Sequence, residues 1–356
     1  MLDNININNF TIFDDVSIHF YHGINVFIGA NATGKTHAMK LVYSLCRAWK
    51  EFESSEPGAA RRPTSQLAEM IKTKLAAVFR PHEGKLGRLV RRGRGRRKAL
   101  IDVTVGGSRV RFSLSNLGRV DVERADSTAV PASIFLPARE VLSIYPGFLA
   151  AYQNRELAFD ETYYDLCLAL SGSPLRGPRG EVASALWRPL GEHLRANVSF
   201  EGNTFYVSSE EDGIIEAHLV AEGIRKIASL MHLIANGSLM KNAILFWDEP
   251  EANLNPRIVK IVADFLVRLA AEGVQIVIAT HDYLLTNEVS LQAEYQTDAV
   301  RNAPIRFFSF YRNEDHSVGI EHGSTLADLT QNPIMEEFEA LYNREQNLFQ
   351  RQPPGT

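Results

Sequence analysis

Several features that define whole classes of protein are missing from this chain of 356 residues. Its two cysteines, Cys46 and Cys167, are too few for a disulfide framework or a zinc cluster. Its longest apolar runs, such as residues 243–247 and 276–279, fall far short of the roughly 20 residues needed to span a bilayer. The amino terminus shows neither the basic start nor the apolar segment of a signal peptide. We therefore expect a cytoplasmic protein without a membrane partner.

Charge is balanced over the whole chain but not along it. There are 38 Lys and Arg against 42 Asp and Glu, which gives a formal net charge of −4. Residues 80–98, called the basic segment below, hold nine of the cations and one anion, Glu83, so that the rest of the chain carries −12. With 45% hydrophobic and 22% charged residues, the composition excludes global disorder. We expect an acidic folded body with one basic segment.

Two hydrophobic periods alternate along the chain. Polar and apolar residues alternate between residues 2 and 27, which is typical of strands, and a helical period begins at Thr36. Further strands are predicted at residues 101–105, 109–114, 133–136, 197–200, 204–208, 305–311 and 318–321, the first two joined by a hairpin turn at Gly106-Gly107. Helices are predicted at 66–79, over most of 138–195 with a break at 171–180, and at 334–349, and a loop is predicted at 54–64. Both periods together predict an α/β fold.

The strongest motif is residues 29–36, GANATGKT, which fits G-x-x-x-x-G-K-[ST] between a buried strand and an amphipathic helix. Its glycines let the backbone curl so that N–H groups face phosphate oxygens. Lys35 is expected to reach the β- and γ-phosphates of ATP, and the Thr36 hydroxyl to ligate Mg²⁺. An ordinary glycine turn is the alternative, with a chance match on the order of 1%. The predicted nucleotide-binding residues are Asn31, Ala32, Thr33, Gly34, Lys35 and Thr36.

A second motif is residues 243–250, AILFWDEP, an apolar run that ends in Asp-Glu. A parallel strand of this kind would place Asp248 at the carboxyl edge of a sheet, where ligands bind. Asp248 is then a predicted Mg²⁺ ligand, and Glu249 is placed to orient and polarise the attacking water. Alone, such a run is common in ordinary strands. Beside the phosphate loop, it indicates a catalytic site.

The two motifs together resemble those of ABC-type ATPases. They are most similar to the soluble branch that contains RecF, the SMC proteins, the OLD nucleases and many bacterial anti-phage ATPases. The resemblance is carried by Asn8-Asn9-Phe10, by Asp-Glu-Pro-Glu at 248–251, and by Thr280-His281-Asp282 after an apolar run. It implies a P-loop NTPase fold of the ABC ATPase-head type, with a strand-rich amino-terminal extension and an inserted helical lobe. It also implies that His281 is the switch histidine at the γ-phosphate, whereas a lone His at a strand end is otherwise solvated surface.

The same family carries a signature loop that grips the ATP of a partner chain. The matching segment is residues 221–226, where Ala221 replaces the family's serine and Gly223 begins a helix. The amides at Gly223 are expected to contact a phosphate, with Lys226 adding charge. An ordinary amphipathic helix is the alternative. Downstream, Asn255 occupies a place of the family's D-loop where Asp is frequent.

The resemblance further implies one ATPase domain in three parts. These are an amino-terminal lobe, residues 1–137, a helical lobe, residues 138–195, and a carboxyl-terminal lobe, residues 196–356. Arg139 and Glu140 belong to a stretch that resembles a Pro-x-Arg-Glu element of the anti-phage ATPases. They are expected to line the nucleotide site, or else to begin a plain helix. The glutamine loop of the family is not evident.

The basic segment has three open interpretations. Its cations could track a nucleic-acid backbone without sequence specificity, because each neutralised phosphate releases counterions. They could instead dock an acidic protein. The four glycines of the segment favour a third interpretation, a mobile solvated loop, and none of its residues is an aromatic that could stack on a base.

For the biological role, the leading hypothesis is the ATPase sensor or regulatory subunit of a bacterial anti-phage defence system. It would form a homodimer or higher homo-oligomer, closing head to tail on ATP, and control a separate effector protein. The alternative is a RecF-like DNA-repair ATPase, which the basic segment favours. A transporter subunit is disfavoured by the strand-rich start and the missing signature serine. No nuclease centre is visible in the sequence.

Overall fold

The computed structural model of the chain describes residues 1–55, 63–93, 95, 97–209, 213–295 and 302–350. The loop predicted at 54–64 lies mostly outside the described residues, and so do Arg94 and Arg96 of the basic segment. In the part of the chain that is described, no helix is long and apolar enough to cross a bilayer.

The strands form three sheets, and helices cover them. The strands are β1 Leu2–Phe10, β2 Phe13–His19, β3 Ile24–Gly29, β4 Lys98–Val105, β5 Ser108–Ser115, β6 Val120–Ala125, β7 Ser133–Leu136, β8 Ala196–Glu201, β9 Thr204–Ser209, β10 Gly213–Glu216, β11 Ile244–Asp248, β12 Gln275–Ala279, β13 Ile305–Arg312 and β14 Val318–Gly323. The helices are α1 Lys35–Ser54, α2 Thr64–Phe79, α3 Phe148–Gln153, α4 Glu161–Leu170, α5 Gly177–Leu194, α6 Glu222–Ala235, α7 Pro256–Ala271, α8 Tyr283–Glu294 and α9 Pro333–Gln350.

The central sheet has the order β14-β13-β3-β12-β11-β7, and its pairs are parallel except for β13 with β14. Its inner strands are buried on both faces, which is why they read as continuous apolar runs. Strand β12 lies between β3 and β11. The carboxyl ends of all three strands therefore meet at one edge of the sheet, which brings together motifs that are more than two hundred residues apart.

Two hydrophobic cores lie on the two faces of this sheet. Along β3, Val26 and Ile28 pack into the core that also contains residues of α4, α6 and α7. Phe27 points the other way, into a core shared with α1 and with the antiparallel sheet β2-β1-β4-β5-β6. The alternation follows from the two-residue period of a strand. The third sheet, β10-β9-β8, follows helices α3 to α5 in the chain.

The structure confirms the α/β class and most of the predicted elements. Val105 pairs with Ser108 across the predicted Gly106-Gly107 turn, and β8 pairs with β9 as a second hairpin. Residues 138–147 are not helical, contrary to prediction, and Pro146 disfavours helical backbone at Tyr145, the residue before it. Helix α5 begins inside the predicted break, with a proline in its first turn. Strands β6 and β10 were not predicted.

The described part of the basic segment is anchored to the fold. The side chains of Leu86, Leu89 and Val90 are buried. The Thr11 N–H donates to the Leu89 carbonyl at 2.6 Å, in the turn between β1 and β2. A Cβ atom on Gly87 would lie 1.9 Å from the Asn116 carbonyl oxygen, so this glycine permits a close approach of two backbones. The interpretation of a mobile loop is therefore wrong for residues 86–90.

Candidate nucleotide site

A cavity of about 360 Å³ lies at the carboxyl edge of the central sheet. It brings together most of the site residues that the sequence predicted: Asn31, Ala32, Gly34, Lys35, Thr36, Asp248, Glu249 and His281. Thr33 does not line it, because its buried hydroxyl donates to the Ala30 carbonyl at 2.8 Å and supports the loop from within. Gly223 also lies outside the cavity lining.

The phosphate loop holds its lysine in place. The Lys35 amine donates to the carbonyls of Gly29 at 2.6 Å and Ala30 at 3.0 Å. Burial lowers the pKa of Lys35, while the carboxylates of Asp248 and Glu249 act in the opposite direction. The amine is thus a partly desolvated cation inside the loop, and a phosphate there would interact with it more strongly than in water.

Thr36 and Asp248 meet across the cavity. The Thr36 hydroxyl donates to the two Asp248 carboxylate oxygens at 3.0 and 3.1 Å. Burial raises the pKa of Asp248 to about 6, although the hydrogen bond from Thr36 opposes the shift. A desolvated carboxylate next to a hydroxyl oxygen is a donor set of the kind that Mg²⁺ prefers. The oxygen atoms of Thr36 and Asp248 therefore fit the Mg²⁺ ion predicted for them from the sequence.

Burial of the Asp248 carboxylate should lower the free energy of unfolding of the nucleotide-free protein. Its folded pKa is about 6 against a model value of 3.8, so the folded state keeps the proton to higher pH than the unfolded state. The cost is therefore absent below about pH 4 and grows until about pH 6. We expect Asp248→Asn to raise the free energy of unfolding at neutral pH by about 3 kcal/mol.

Urea unfolding without Mg²⁺ or nucleotide, at acidic and neutral pH, measures this difference. The Asn variant should match the wild type at the acidic end and exceed it at neutral pH. Asp15→Asn, at an exposed position, is the matched control and should have no such effect. Equal stabilities of wild type and Asp248→Asn at neutral pH would contradict the assignment of a buried, ionised carboxylate.

Glu249 and His281 face each other at the mouth of the cavity. His281 Nδ1 lies 3.6 Å from Glu249 Oε1. The Glu249 backbone is left-handed, with φ of 48°, and its N–H donates to the Ala279 carbonyl at 2.8 Å. A non-glycine residue in this region is strained and persists only when its surroundings hold it. The loop after β11 is therefore fixed in a conformation that turns Glu249 toward the cavity.

Glu251 connects this loop to the one after β12. Its buried carboxylate accepts hydrogen bonds from the Thr280 hydroxyl at 2.8 Å and the His281 N–H at 3.4 Å. Burial raises the pKa of Glu251. From the sequence, Glu251 was predicted only as part of the Asp-Glu-Pro-Glu motif at 248–251. In the structure it aligns Thr280 and His281 with the end of β11.

Lys226 lies behind the same loop and not on an outer surface. Its amine donates to the carbonyls of Glu249 at 2.8 Å and Ala252 at 3.3 Å. The side chain is buried, and burial lowers the pKa of Lys226. The prediction that it adds charge for a partner's phosphate is wrong. It supports the backbone of Glu249 within its own chain.

The signature-like segment packs against the D-loop position of the same chain. A Cβ atom on Gly223 would lie 2.5 Å from the Asn253 carbonyl oxygen, so only glycine allows this approach. Asn255 caps α7, since its side chain accepts a hydrogen bond from the Ile258 N–H at 3.0 Å. The family's D-loop position is thus a helix cap here.

Arg139 and Glu140 do not line the cavity, contrary to one of the two expectations. The Glu140 carboxylate lies 2.8 Å from Arg225 Nε, and its side chain is 4% exposed. The other expectation, a plain helix start, is also wrong, because α3 begins at Phe148. Glu140 instead connects the strand end at β7 to the signature-like segment.

Five residues that line the cavity were not predicted as site residues from the sequence: Ile12, His37, Ala279, Thr280 and Arg312. Arg312 donates from Nη2 to the Ala32 carbonyl at 2.9 Å. It ends β13, the parallel neighbour of β3, so its place at the carboxyl edge follows from the sheet order. That order was not readable from the sequence, and only its position after an apolar run could have indicated it.

Two protein families match the chain. The family described as "AAA domain, putative AbiEii toxin, Type IV TA system" matches residues 85–287. This match contains both Asp248 and His281. The chain belongs to this AAA domain family. An AAA ATPase domain family also matches residues 1–85, which contain the phosphate loop.

Solved structures of SMC heads are similar to this AAA domain. An SMC head bound to the C-winged helix domain of ScpA shares 13% identity and a TM-score of 0.51 over 92% of this chain and 98% of that chain. The SMC head from Thermotoga maritima has 11% identity and a TM-score of 0.45, covering 90% and 98%. The head derived from Pyrococcus furiosus has 10% identity and a TM-score of 0.49, over 96% of this chain and 99% of that chain. The family matches show an AAA ATPase domain, and the first of these likenesses shows that the chain has the fold of an SMC head, a P-loop NTPase fold.

Proposed function

We propose that this AAA domain protein binds and hydrolyses ATP as the sensor or regulatory subunit of a bacterial anti-phage defence system. The observation that carries the enzymatic part is the meeting of Lys35, Thr36, Asp248 and Glu249 in one cavity. The role in defence is supported by the description of the matched family, which refers to a toxin and a toxin–antitoxin system. The three parts, residues 1–137, 138–195 and 196–356, would act as one ATPase unit.

Each residue of the cavity has a proposed role. The amides of residues 31–34 and the Lys35 amine bind the phosphates of ATP. Thr36 and Asp248 hold Mg²⁺, which when bound neutralises phosphate charge. Glu249 accepts a proton from the attacking water, and His281 contacts the γ-phosphate. The 3.6 Å between His281 Nδ1 and Glu249 Oε1 supports a shared reaction centre.

We also propose that two copies close head to tail on ATP. The amino-terminal end of α6 would face the γ-phosphate of the partner chain, because helix amides there carry partial positive charge. Ala221, just before this helix, is exposed. Hydrolysis would remove the γ-phosphate that this end contacts and loosen the dimer. Without the serine hydroxyl at 221, the closed state would have one hydrogen bond fewer.

The effector would bind at helix α9. Its exposed apolar side chains share one face of the helix: Met335, Phe338, Leu341, Tyr342, Leu348 and Phe349. Four glutamates and one arginine give the helix a net charge of −3. Exposed apolar side chains that are contiguous on one face mark an interaction site. We propose a partner with an apolar groove and a basic rim, just as the similar SMC head binds a separate domain of ScpA.

Replacing Leu341 with Asp tests this surface, since the change places a charge on its apolar face. We expect the variant to lose co-purification with the product of the neighbouring gene while its ATP hydrolysis stays at the wild-type rate. Asn343→Asp places the same charge on the opposite face of α9 and should bind normally. Equal recovery of the neighbour with both variants would exclude α9 as the docking surface.

The biological role requires a separate test. Cells that carry this gene and its neighbour should resist phage infection, and Glu249→Gln should abolish the resistance. The RecF-like repair role is the second candidate, favoured by the exposed cations Lys85, Arg88 and Arg92. It predicts sensitivity to DNA damage on deletion, with no effect on phage plaques. A transporter subunit is the least favoured role.

A further inference from the structure

A second groove, of about 700 Å³, lies where the basic segment meets the helical lobe. Its walls combine two kinds of side chain: the cationic Arg80 and Arg155, with His82, and the aromatic Tyr152, Phe159 and Tyr164. The volume falls within the roughly 300–1,000 Å³ that is common for ligand sites. The groove is distinct from the nucleotide site, since the two share no lining residue.

Two of the three aromatic side chains in the wall, Tyr152 and Tyr164, belong to a parallel stack that begins at Phe148 behind the groove. The Phe148 and Tyr152 ring centroids are 6.0 Å apart at 20°, and those of Tyr152 and Tyr164 are 4.8 Å apart at 22°. Tyr152 and Tyr164 are half-buried and line the groove. Parallel stacking is the geometry in which a nucleobase adds to aromatic rings, and it is worth about 1–3 kcal/mol per base.

The cationic wall begins the basic segment. Arg80 is exposed, and its Nη1 donates to the Phe159 carbonyl at 2.8 Å, which fixes the guanidinium beside the aromatic wall. Arg155, on the other side, is also exposed. The acidic side chain in the lining, Glu83, is paired with Lys85. A phosphate next to a stacked base would therefore find positive charge.

The charge continues away from the groove. Arg88 and Arg92 are exposed on the segment that the buried Leu86, Leu89 and Val90 anchor to the fold. The sequence offered a basic stretch without any aromatic residue inside it. The fold supplies the missing aromatic residues from α3 and α4, more than fifty positions downstream.

We propose that this groove binds a base of single-stranded nucleic acid, with the neighbouring phosphates along Arg88 and Arg92. Single strands are favoured over duplexes because a base must leave its own stack before it can add to the end of the aromatic stack. Binding would be independent of sequence, since every base has a stacking face. The proposal goes beyond ATP hydrolysis and does not depend on it.

Fluorescence anisotropy with labelled oligo-dT and oligo-U of about 20 bases, and with a matched duplex, tests the proposal without nucleotide over a range of salt. We expect both single strands to bind more tightly than the duplex. Free AMP is then added as a competitor. AMP should displace the oligonucleotide from a site for mononucleotides, but not from a polynucleotide site.

Variants separate stacking from charge. Tyr164→Leu should lower affinity about tenfold with an unchanged salt slope, whereas Tyr164→Phe, which keeps the ring, should bind like the wild type. Joint Arg88→Ser and Arg92→Ser should reduce the salt slope by about two. Tyr295→Leu, at a tyrosine that is 78% exposed outside the groove, is the matched control.

Three results would overturn the proposal: no binding by the wild type, equal binding of the duplex, or unchanged affinity in Tyr164→Leu. If Tyr164→Leu unfolds, Arg155→Ser replaces it, because that exposed side chain can be changed without disturbing the core, and an unaltered salt slope there counts against the groove. If the wild type binds an acidic protein through Arg88 and Arg92 and binds no oligonucleotide, the basic segment is a docking surface for that protein. We expect every one of these variants to hydrolyse ATP at the wild-type rate. The result for the groove therefore does not decide the ATPase proposal.

Discussion

Glu249→Gln should bind ATP as the wild type does and hydrolyse it roughly 10²-fold more slowly or worse. Glutamine keeps the shape of the side chain but cannot accept a proton from water. The left-handed backbone at Glu249 and its N–H bond to Ala279 do not involve the carboxylate, so the loop should keep its conformation. The substitution should therefore slow the hydrolysis step and leave ATP binding unchanged.

Isothermal titration with ATP and Mg²⁺ measures binding, and phosphate release measures turnover. Gel filtration with ATP should show dimers that accumulate in Glu249→Gln and are short-lived in the wild type. Lys35→Ala is the control, since without the amine its ATP affinity should fall about tenfold or more and no dimer should form. Wild-type turnover by Glu249→Gln would mean that another group activates the water. Absence of turnover in both proteins would make the chain an ATP-gated clamp.

Much of the nucleotide site could be predicted from the sequence because its motifs are local. The phosphate loop is eight consecutive residues between a strand and a helix, and its glycines and lysine are required by the shape and charge of phosphate. The Asp248-Glu249 pair follows one strand, and His281 follows the next along the chain. Parallel strands that end at one edge bring such segments together without further information.

The remaining residues could not be predicted because their roles depend on tertiary contacts. Lys226 reads as one more cation on an amphipathic helix, and nothing in its neighbours indicates that it meets the Glu249 carbonyl. Glu140 reads as part of a nucleotide-site element but pairs with Arg225. Both side chains are buried, and a charged group that is shielded from water requires a polar partner. For Lys226 and Glu140 that partner lies far away in the sequence, so it could not be predicted.

Two adjacent cations of α6, Arg225 and Lys226, contact different parts of the fold. Arg225 pairs with Glu140 in the loop after β7, and Lys226 donates to the loop after β11. Successive residues on a helix point about 100° apart, so adjacent cations reach different elements. Helix α6 thereby connects the helical lobe to the loop that carries Glu249. If α6 moved in the proposed dimer closure, the movement would displace the proposed catalytic carboxylate of Glu249.

Lys226→Met should consequently slow ATP hydrolysis by up to about 10²-fold, because small misplacements of a catalytic group have effects of that size. Methionine retains the aliphatic stem and its packing but leaves the carbonyls of Glu249 and Ala252 without their donor. ATP affinity should stay unchanged, since Lys35, Thr36 and Asp248 are untouched. Lys226 is a positioning residue, so the change should appear in kcat and not in Kd.

Comparison with two further variants distinguishes positioning from a general loss of structure. Lys226→Arg keeps a cationic donor and should recover part of the rate, whereas Lys72→Met, at an exposed lysine of α2, should have no effect. Thermal unfolding supplies the second readout. Removal of a desolvated charge offsets the lost hydrogen bonds, so Lys226→Met should melt within a few degrees of the wild type. A slow variant that melts normally and binds ATP normally assigns Lys226 to the orientation of Glu249, while full turnover by Lys226→Met would show that the strained loop holds Glu249 without it.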